Sequence, residues 1–129
     1  MVTVETEKMS DIFMKYHLGN LPFAAVIHEF KEAEPLDALA HNHPFSFTTF
    51  IMHGWYVERI WYRQNPNTKW RYYDVKREEG RAYTVDASRI HQIIDMSKGG
   101  CYTMMIPQGE KTDWGFYEMP EGKYFKFEK

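Results

Sequence analysis

The chain has 129 residues, of which 16 are basic and 18 acidic, so that its net charge is −2 with neutral histidines. This length suits one domain spanning residues 1–129 around a single core. The near balance of charges disfavours nucleic acid and anionic membranes as partners, and no apolar run approaches the ~20 residues that cross a bilayer. Because Cys101 is the only cysteine, an intrachain disulfide is excluded, and we expect a reducing, cytoplasmic location.

The composition and the first residues predict mostly strands after a helical start. Aromatic residues make up 17% of the chain and leucine is scarce, which favours an all-β fold. We expect residues 1–8, which are polar and lack periodicity, to be frayed. A short N-terminal helix is predicted next, capped by Ser10 and ended by Gly19. Its apolar residues recur at helical spacing, and they are Met9, Ile12, Phe13 and Tyr16.

From residue 23 onward the chain reads as short strands separated by turns. A strand over Phe23–Phe30 leads into an acidic connecting loop at 31–38, where Pro35 breaks the pattern. The stretch 45–52 is apolar on both faces, as a doubly buried strand would be. Further turns are predicted at 65–68, 75–80, 86–88, 97–100 and 120–122. Roughly eight to ten strands with such spacing are typical of a sandwich or a jelly-roll barrel.

The stretch "HNHPFSFTTFIMHG", residues 41–54, carries the strongest chemical signal. In a strand, His41 and His43 project to the same side, roughly 7 Å apart along the backbone, and could chelate one divalent ion. A third ligand must come from another strand, and His91 in "SRIHQI" is the best candidate because burying an unpaired imidazole is costly. The alternatives are a polar strand end for the first two histidines and a hydrogen-bonded core histidine for the third.

These two blocks resemble the signature motifs of the cupin superfamily. His41, His43 and Gly54 match the first motif, but Pro35 stands at its opening glycine and Phe47 at its glutamate. The second motif is matched by Gly80 and His91, with substitutions at Asp86, Ser88 and Asp95. Together with "TDWGF", the first block is similar to small bacterial and phage cupin-like proteins. The resemblance implies a cupin-type jelly-roll β-barrel.

The resemblance also implies a divalent transition metal held by His41, His43 and His91. Cupins with three histidines and no glutamate include thiol dioxygenases and diketone-cleaving dioxygenases, so that Fe²⁺ is the first expectation and Zn²⁺, Mn²⁺ and Ni²⁺ are the others. Glu58 could replace the missing carboxylate if the next strand folds back over the site.

Two further side chains are candidate catalytic groups. Arg89 lies two residues before His91, and its guanidinium could clamp a substrate carboxylate, although an exposed charge in a turn is the alternative. His53 would share a face with His43 if the strand ran unbroken, and could move a proton or simply line the rim. Tyrosines that could line the cavity are Tyr56, Tyr83 and Tyr102. Cys101 reads as a small buried residue rather than a nucleophile.

Three functions follow as hypotheses. The first is a small-molecule metalloenzyme of the non-haem iron oxygenase type. The second is a metal-assisted isomerase or epimerase acting on a sugar or keto acid, with His53 moving the proton. The third is a small-ligand-binding module without catalysis. The aromatic hairpin around "WYVERIWYR" and "KWRYYDV" predicts a homodimer, with a carbohydrate-binding surface as the alternative.

Overall fold

The computed structural model describes residues 1–35 and 38–128, and their regular secondary structure consists of strands. In chain order these are β1 Thr3–Ser10, β2 Phe13–Gly19, β3 Ala25–Phe30, β4 Ala40–His41, β5 Ser46–His53, β6 Tyr56–Tyr62, β7 Arg71–Arg77, β8 Ala82–Val85, β9 Ile90–Met96, β10 Cys101–Gln108, β11 Gly115–Glu118 and β12 Lys123–Lys126. The predicted all-β class is confirmed. Across these residues no helix is long and apolar enough to span a membrane.

The strands form two six-stranded antiparallel sheets. The first sheet has the order β1-β2-β3-β10-β5-β8 and the second β12-β11-β4-β9-β6-β7. From β3 to β11 the chain changes sheet at almost every connection, so that residues distant in sequence meet between the sheets. The pairing between described strands does not close the sheets into one barrel, so the architecture is a cupin-like β-sandwich rather than the closed barrel expected.

The predicted N-terminal helix is wrong, because residues 3–19 form an antiparallel hairpin. Thr3 pairs with Gly19 and Thr6 with Tyr16, so that β1 is a paired edge strand although it was expected to fray. Ser10 accepts a hydrogen bond at its hydroxyl from the amide of Ile12, 3.2 Å away, within a turn. β2 pairs with both β1 and β3, and all of its residues are half-buried. Apolar residues on both faces of such a strand can recur at the spacing expected of a helix, which explains the wrong prediction.

The later turns lie close to their predicted positions, except that the first three residues of the turn predicted at 75–80 belong to β7. The hairpin at 65–68 joins β6 to β7. Here the hydroxyl of Thr68 accepts a hydrogen bond from the amide of Asn65 and donates one to the Asn65 carbonyl. The turns at 86–88, 97–100 and 120–122 join β8 to β9, β9 to β10 and β11 to β12. The predicted connecting loop at 31–38 lies partly outside the described residues, because Leu36 and Asp37 are not among them.

The core fills the space between the sheets in two clusters. One is built on Ile51, Tyr56, Ile93 and Cys101. The other, beside the histidines, is built on Phe47, Val85 and Met105. Cys101 is a buried free thiol, as predicted.

Candidate metal centre

Three histidines from two segments converge on one point. His41 on β4 lies directly opposite His91 on β9, and His43 follows β4 two residues later. The centroids of the three imidazole rings are 4.6 to 5.2 Å apart. One potential ligand atom from each residue lies within 4.8 Å of the other two. The structure thus brings together the three residues that the sequence singled out as metal ligands.

The backbone around the histidine pair is fixed by the segment that ends in β11. Asn42, between the two histidines, accepts a hydrogen bond at Oδ1 from the amide of Gly115, 2.8 Å away, and donates its own amide to the Gly115 carbonyl. The carbonyl of Pro44 accepts the amide of Thr112. Because Asn42 is held outward on β11, the residues on either side of it both turn toward the interior. Gly115 has no room for a side chain, since a Cβ there would clash with the backbone of Phe125.

The site favours neutral imidazoles. Burial lowers the pKa of His41 to about 3 and that of His43 to about 2, with repulsion from His91 as the next cause. Nδ1 of His43 is buried and has no hydrogen-bond partner among the described residues. A neutral ring with an unused lone pair is what a divalent transition metal needs, so this donor set fits such an ion. Three nitrogens that each lie about 2.1 Å from one ion are closer to one another than 4.8 Å, so that small ring rotations would accompany metal binding.

Glu58 on β6 lies behind His91 rather than beside the other histidines. It is 1% exposed, and its Oε2 is 2.5 Å from Nδ1 of His91. Burial alone would raise the pKa of Glu58, but the hydrogen bond and charge of His91 and the charge of Arg77 outweigh it and lower this pKa to about 2. With Nδ1 donating to a carboxylate, Nε2 of His91 is the nitrogen left to bind a metal, which is the usual arrangement of an outer carboxylate behind a ligating histidine.

Two arginines surround the same carboxylate. Arg77 donates from Nε to Oε1 of Glu58 at 2.8 Å, and its guanidinium lies over the ring of Tyr83. Arg89, a predicted catalytic residue, lies farther from the carboxylate, with one terminal nitrogen 3.5 Å from Oε2. Its side chain is 22% exposed, so that most of its donors are not committed to Glu58. Arg89 therefore lies near His91, just before β9 begins, and its role in catalysis stays a prediction.

Phe47 fills the position where the cupin motif has a glutamate. It is 7% exposed, and its ring meets the ring of His43 edge to face at 4.9 Å. It also belongs to the neighbouring core cluster with Val85 and Met105. The side of the cluster on which a ligating carboxylate would stand is therefore apolar.

His53 is not brought to the site. Its side chain is 75% exposed, and its Nδ1 lies 3.2 Å from Oε1 of Glu79. The inference that it shares a face with His43 required one unbroken strand, but β4 and β5 belong to different sheets. The tyrosines considered as cavity residues are also dispersed, since Tyr56 is in the core and Tyr102 donates to Glu29 on the outside of the first sheet.

Supporting residues that sequence reasoning missed are Arg77, Asn42 and Gln92. Gln92 accepts from the indole of Trp61 at 2.7 Å and donates to the carbonyl of Ala38, which ties the segment leading into β4 to β9. Each acts through a residue of another strand. Of these three residues, Asn42 had a signal in the local sequence. It lies between two histidines, so its side chain has to point outward when theirs point inward.

The comparisons with known proteins bear on the fold. No family model and no curated protein matches the chain. Solved structures do match, and one is hydroxypropylphosphonic acid epoxidase from S. wedmorenis, with a TM-score of 0.59 and 12% identity over 81% of this chain and 55% of that one. Oxalate decarboxylase from Lactobacillus farciminis gives a TM-score of 0.61 with 15% identity, over 83% of this chain and 31% of that one.

A third is HEPD from Streptomyces albus, in a complex containing Fe(II) and the substrate 2-hydroxyethylphosphonate. Its TM-score is 0.61 with 15% identity, over 84% of this chain and 24% of that one. This chain spans about half the length of the first of these relatives and less of the other two. All three are cupin-fold metalloenzymes. The chain has the cupin fold, and its three-histidine cluster fits a cupin metal site.

Proposed function

We propose that this protein is a metalloenzyme of the non-haem iron oxygenase type, with a ferrous ion held by His41, His43 and His91. The observation that carries the proposal is the convergence of three imidazoles, one potential ligand atom from each lying within 4.8 Å of the other two. Burial lowers the pKa values of His41 and His43, which favours the neutral form of these two rings. A bound ferrous ion would supply open coordination positions for a small substrate and for dioxygen. Zn²⁺, Mn²⁺ and Ni²⁺ satisfy the same ligands and are the competing occupants.

The charges around the site favour an anionic substrate. Three neutral histidines leave the ion with its full double charge, whereas a ligating glutamate would have cancelled part of it. The negative charge of Glu58 is matched by Arg77 at 2.8 Å, and Arg89 adds a further positive charge. A small anion that chelates through two oxygens would neutralise this excess. That the similar structures include a phosphonic acid epoxidase and an oxalate decarboxylase supports this substrate class.

In this scheme the chain's own residues bind and orient. Glu58 holds the ring of His91 in one tautomer and one orientation, and the ring of Phe47 gives His43 an apolar neighbour. The guanidinium of Arg89 would hold the acidic end of the substrate. The scheme assigns no step to His53, which is exposed beside Glu79, and it is less favourable to the isomerase that relied on that residue. A cytosolic location is proposed with it, because the thiol of Cys101 is free.

Oxygen uptake by the iron-loaded protein tests the proposal. After anaerobic loading with Fe²⁺, small carboxylates, hydroxy acids and phosphonates are added one at a time in the presence of oxygen. We expect at least one of them to stimulate uptake, and Arg89→Ala to raise its half-saturating concentration at least about tenfold. Arg81→Ala, which alters an exposed arginine, is the control. Iron binding without stimulated uptake would favour a non-catalytic binding module, and tight binding of Zn²⁺ or Mn²⁺ in preference to iron would favour isomerisation.

A further inference from the structure

We propose that a small alkylammonium ion binds in a cavity between the two sheets, apart from the metal centre. The cavity has a volume of about 110 Å³, which is room for about four water-sized groups at ~30 Å³ each. Its apolar wall consists of Ile12, Phe13, Phe30 and Ile93, and its polar wall of Ser10, Glu32 and Glu34. The three histidines of the metal centre are not part of either wall, so the proposal does not depend on the proposed function.

The cavity and the metal centre lie beside different parts of the core. Phe13 on β2 pairs with Phe30 on β3, and their rings stack with centroids 4.6 Å apart. Ile93 comes from β9 of the second sheet and belongs to the core cluster against which Phe30 packs. The ring of His43, by contrast, contacts Phe47 of the other core cluster. A ligand in the cavity therefore need not touch the metal ligands.

The segment that follows β3 places Glu34 at this cavity. The amide of Lys31 donates to the carbonyl of Ile12 at 2.8 Å, and the amide of Glu34 donates to the carbonyl of Ile93 at 3.2 Å. The first bond holds the segment to the turn between β1 and β2, and the second holds it to the second sheet. Glu34 is thereby fixed where the two sheets meet around the cavity.

Glu34 brings a carboxylate with an unused oxygen into these apolar surroundings. Its Oε2 is buried and has no hydrogen-bond partner among the described residues. Burial raises the pKa of Glu34, although the charge of His91 and a hydrogen bond from the backbone of Ile93 act in the opposite direction. Because the last torsion of a glutamate is soft, rotation of the carboxyl group can turn either oxygen toward the cavity. A bound group that donates to it would remove the cost of a buried acceptor without a partner.

The charges around the cavity are negative and lack a counter-charge. The carboxylate of Glu32 also lines the cavity and is exposed, so the cavity reaches the surface there. In the part of the chain that the structure describes, neither Glu32 nor Glu34 forms an ion pair. Lys15 approaches the wall from one side, with Nζ 5.8 Å from the centroid of the Phe13 ring. His28, which contacts both aromatic rings of the wall, has its pKa lowered to about 3 by burial and is neutral near pH 7.

An alkylammonium ion complements both walls. Its charged end would donate to the carboxylate of Glu34, and the rings of Phe13 and Phe30 also attract a cation. Its alkyl chain would pack against Ile12 and Ile93. A divalent metal ion needs more oxygen ligands than this wall supplies, and an anion would be repelled by both carboxylates.

Titration with n-butylammonium chloride, followed by the amide chemical shifts of isotope-labelled protein, tests the site. At about pH 7 this amine is protonated, as that of lysine is, so that it has no lone pair for a metal. We expect saturable shifts at Ile12, Phe30 and Ile93 with a Kd of about 1 mM, because so small a ligand makes few contacts. The Kd should be the same with and without Zn²⁺, and n-butanol, which has the same chain but no charge, should bind at least about tenfold more weakly.

Glu34→Gln should raise the Kd for n-butylammonium at least about tenfold, because the bound cation loses its counter-charge. Since it removes a buried charge without an ion-pair partner, this variant should be no less stable than the wild type. Glu79→Gln, which alters an exposed carboxylate elsewhere, should leave the Kd unchanged. Ile12→Trp, which fills the cavity and keeps Glu34, should abolish saturable binding and repeats the test if Glu34→Gln is unfolded. Equal Kd values for Glu34→Gln and the wild type would overturn the proposal, as would equal binding of n-butanol or no saturable shifts up to about 50 mM.

Discussion

Oε2 of Glu58 lies 2.5 Å from Nδ1 of His91, which leaves Nε2 as the nitrogen of this ring that is available to a metal. In the cupin motif that this sequence resembles, the glutamate is a metal ligand. Here Phe47 stands in its place, and the carboxylate of Glu58 contacts a ligating histidine instead of the metal. A carboxylate behind a histidine fixes the tautomer and makes the ring a better donor without cancelling charge at the ion. The site thus lacks a glutamate that binds the metal and has one that orients a histidine ligand.

Glu58→Gln should weaken binding of a divalent metal by about tenfold to a hundredfold, because the ring of His91 loses the partner that orients it. The variant should also unfold at a lower temperature, since Arg77 and Arg89 are left without their counter-charge. Metal titration well below the unfolding temperature separates the two effects. Glu79→Gln removes an exposed carboxylate and is the control. If Glu58→Gln bound metal as tightly as the wild type, the positioning role would be wrong.

Phe47→Glu should restore a carboxylate beside His43 and make stability depend on metal. Without metal the variant should lose about 3–5 kcal/mol, because a buried ring in contact with Val85 and Met105 is replaced by a charge. Saturating Zn²⁺ should then raise its Tm by more than that of the wild type, since an ion that binds the folded state alone stabilises it. Val85→Glu places the charge in the same cluster, which should destabilise without this rescue. Equal Tm shifts for the two variants would contradict the prediction.

His28 should make the protein less stable in acid. Its ring is buried between Phe13 and Phe30, and burial lowers its pKa to about 3. Since the unfolded chain binds this proton near pH 6.5 and the folded chain does not, stability falls as pH decreases from 6.5 toward 3, by up to about 1.4 kcal/mol per pH unit. Compared with wild type, His28→Leu should therefore gain stability progressively over that range in urea unfolding.

Val26→Ala, on the same face of β3, is the control for this pH series, because it removes packing without removing a titrating group. Its effect on the free energy of unfolding should be the same at each pH. A constant difference between His28→Leu and the wild type from pH 6.5 to 4 would show that the buried ring does not resist protonation.

The sequence predicted the parts of the site that depend on alternation within one short segment. His41 and His43 had to turn the same way, and the apolar context of His91 pointed inward. The expectation that His53 shares a face with His43 was wrong. Side chains alternate between two faces only within one strand, and the chain changes sheet between His43 and β5. The helix prediction was wrong because both faces of β2 are half-buried, so that its apolar residues do not alternate in the pattern typical of a strand.

The role of Glu58 depends on strand order, which a single sequence does not give. β6 lies between β7 and β9, with a register shift between Val57 and Glu58 on the β9 side. That neighbourhood places Arg77 from one strand and His91 from the other against the same carboxylate. Neither pairing has a local signature, because Arg77 and His91 are 19 and 33 positions away from Glu58 in the sequence.

The most direct test of the metal centre is a titration of the metal-free protein with Fe²⁺ under anaerobic conditions, and with Zn²⁺ and Mn²⁺, for wild type and His41→Ala. One ion per chain should bind the wild type, and removing one of three imidazoles should weaken its affinity at least about tenfold while the strand content seen by circular dichroism is kept. His17→Ala, which alters an exposed histidine paired with Glu7, should bind like the wild type. Equal affinity in His41→Ala and the wild type would contradict the account.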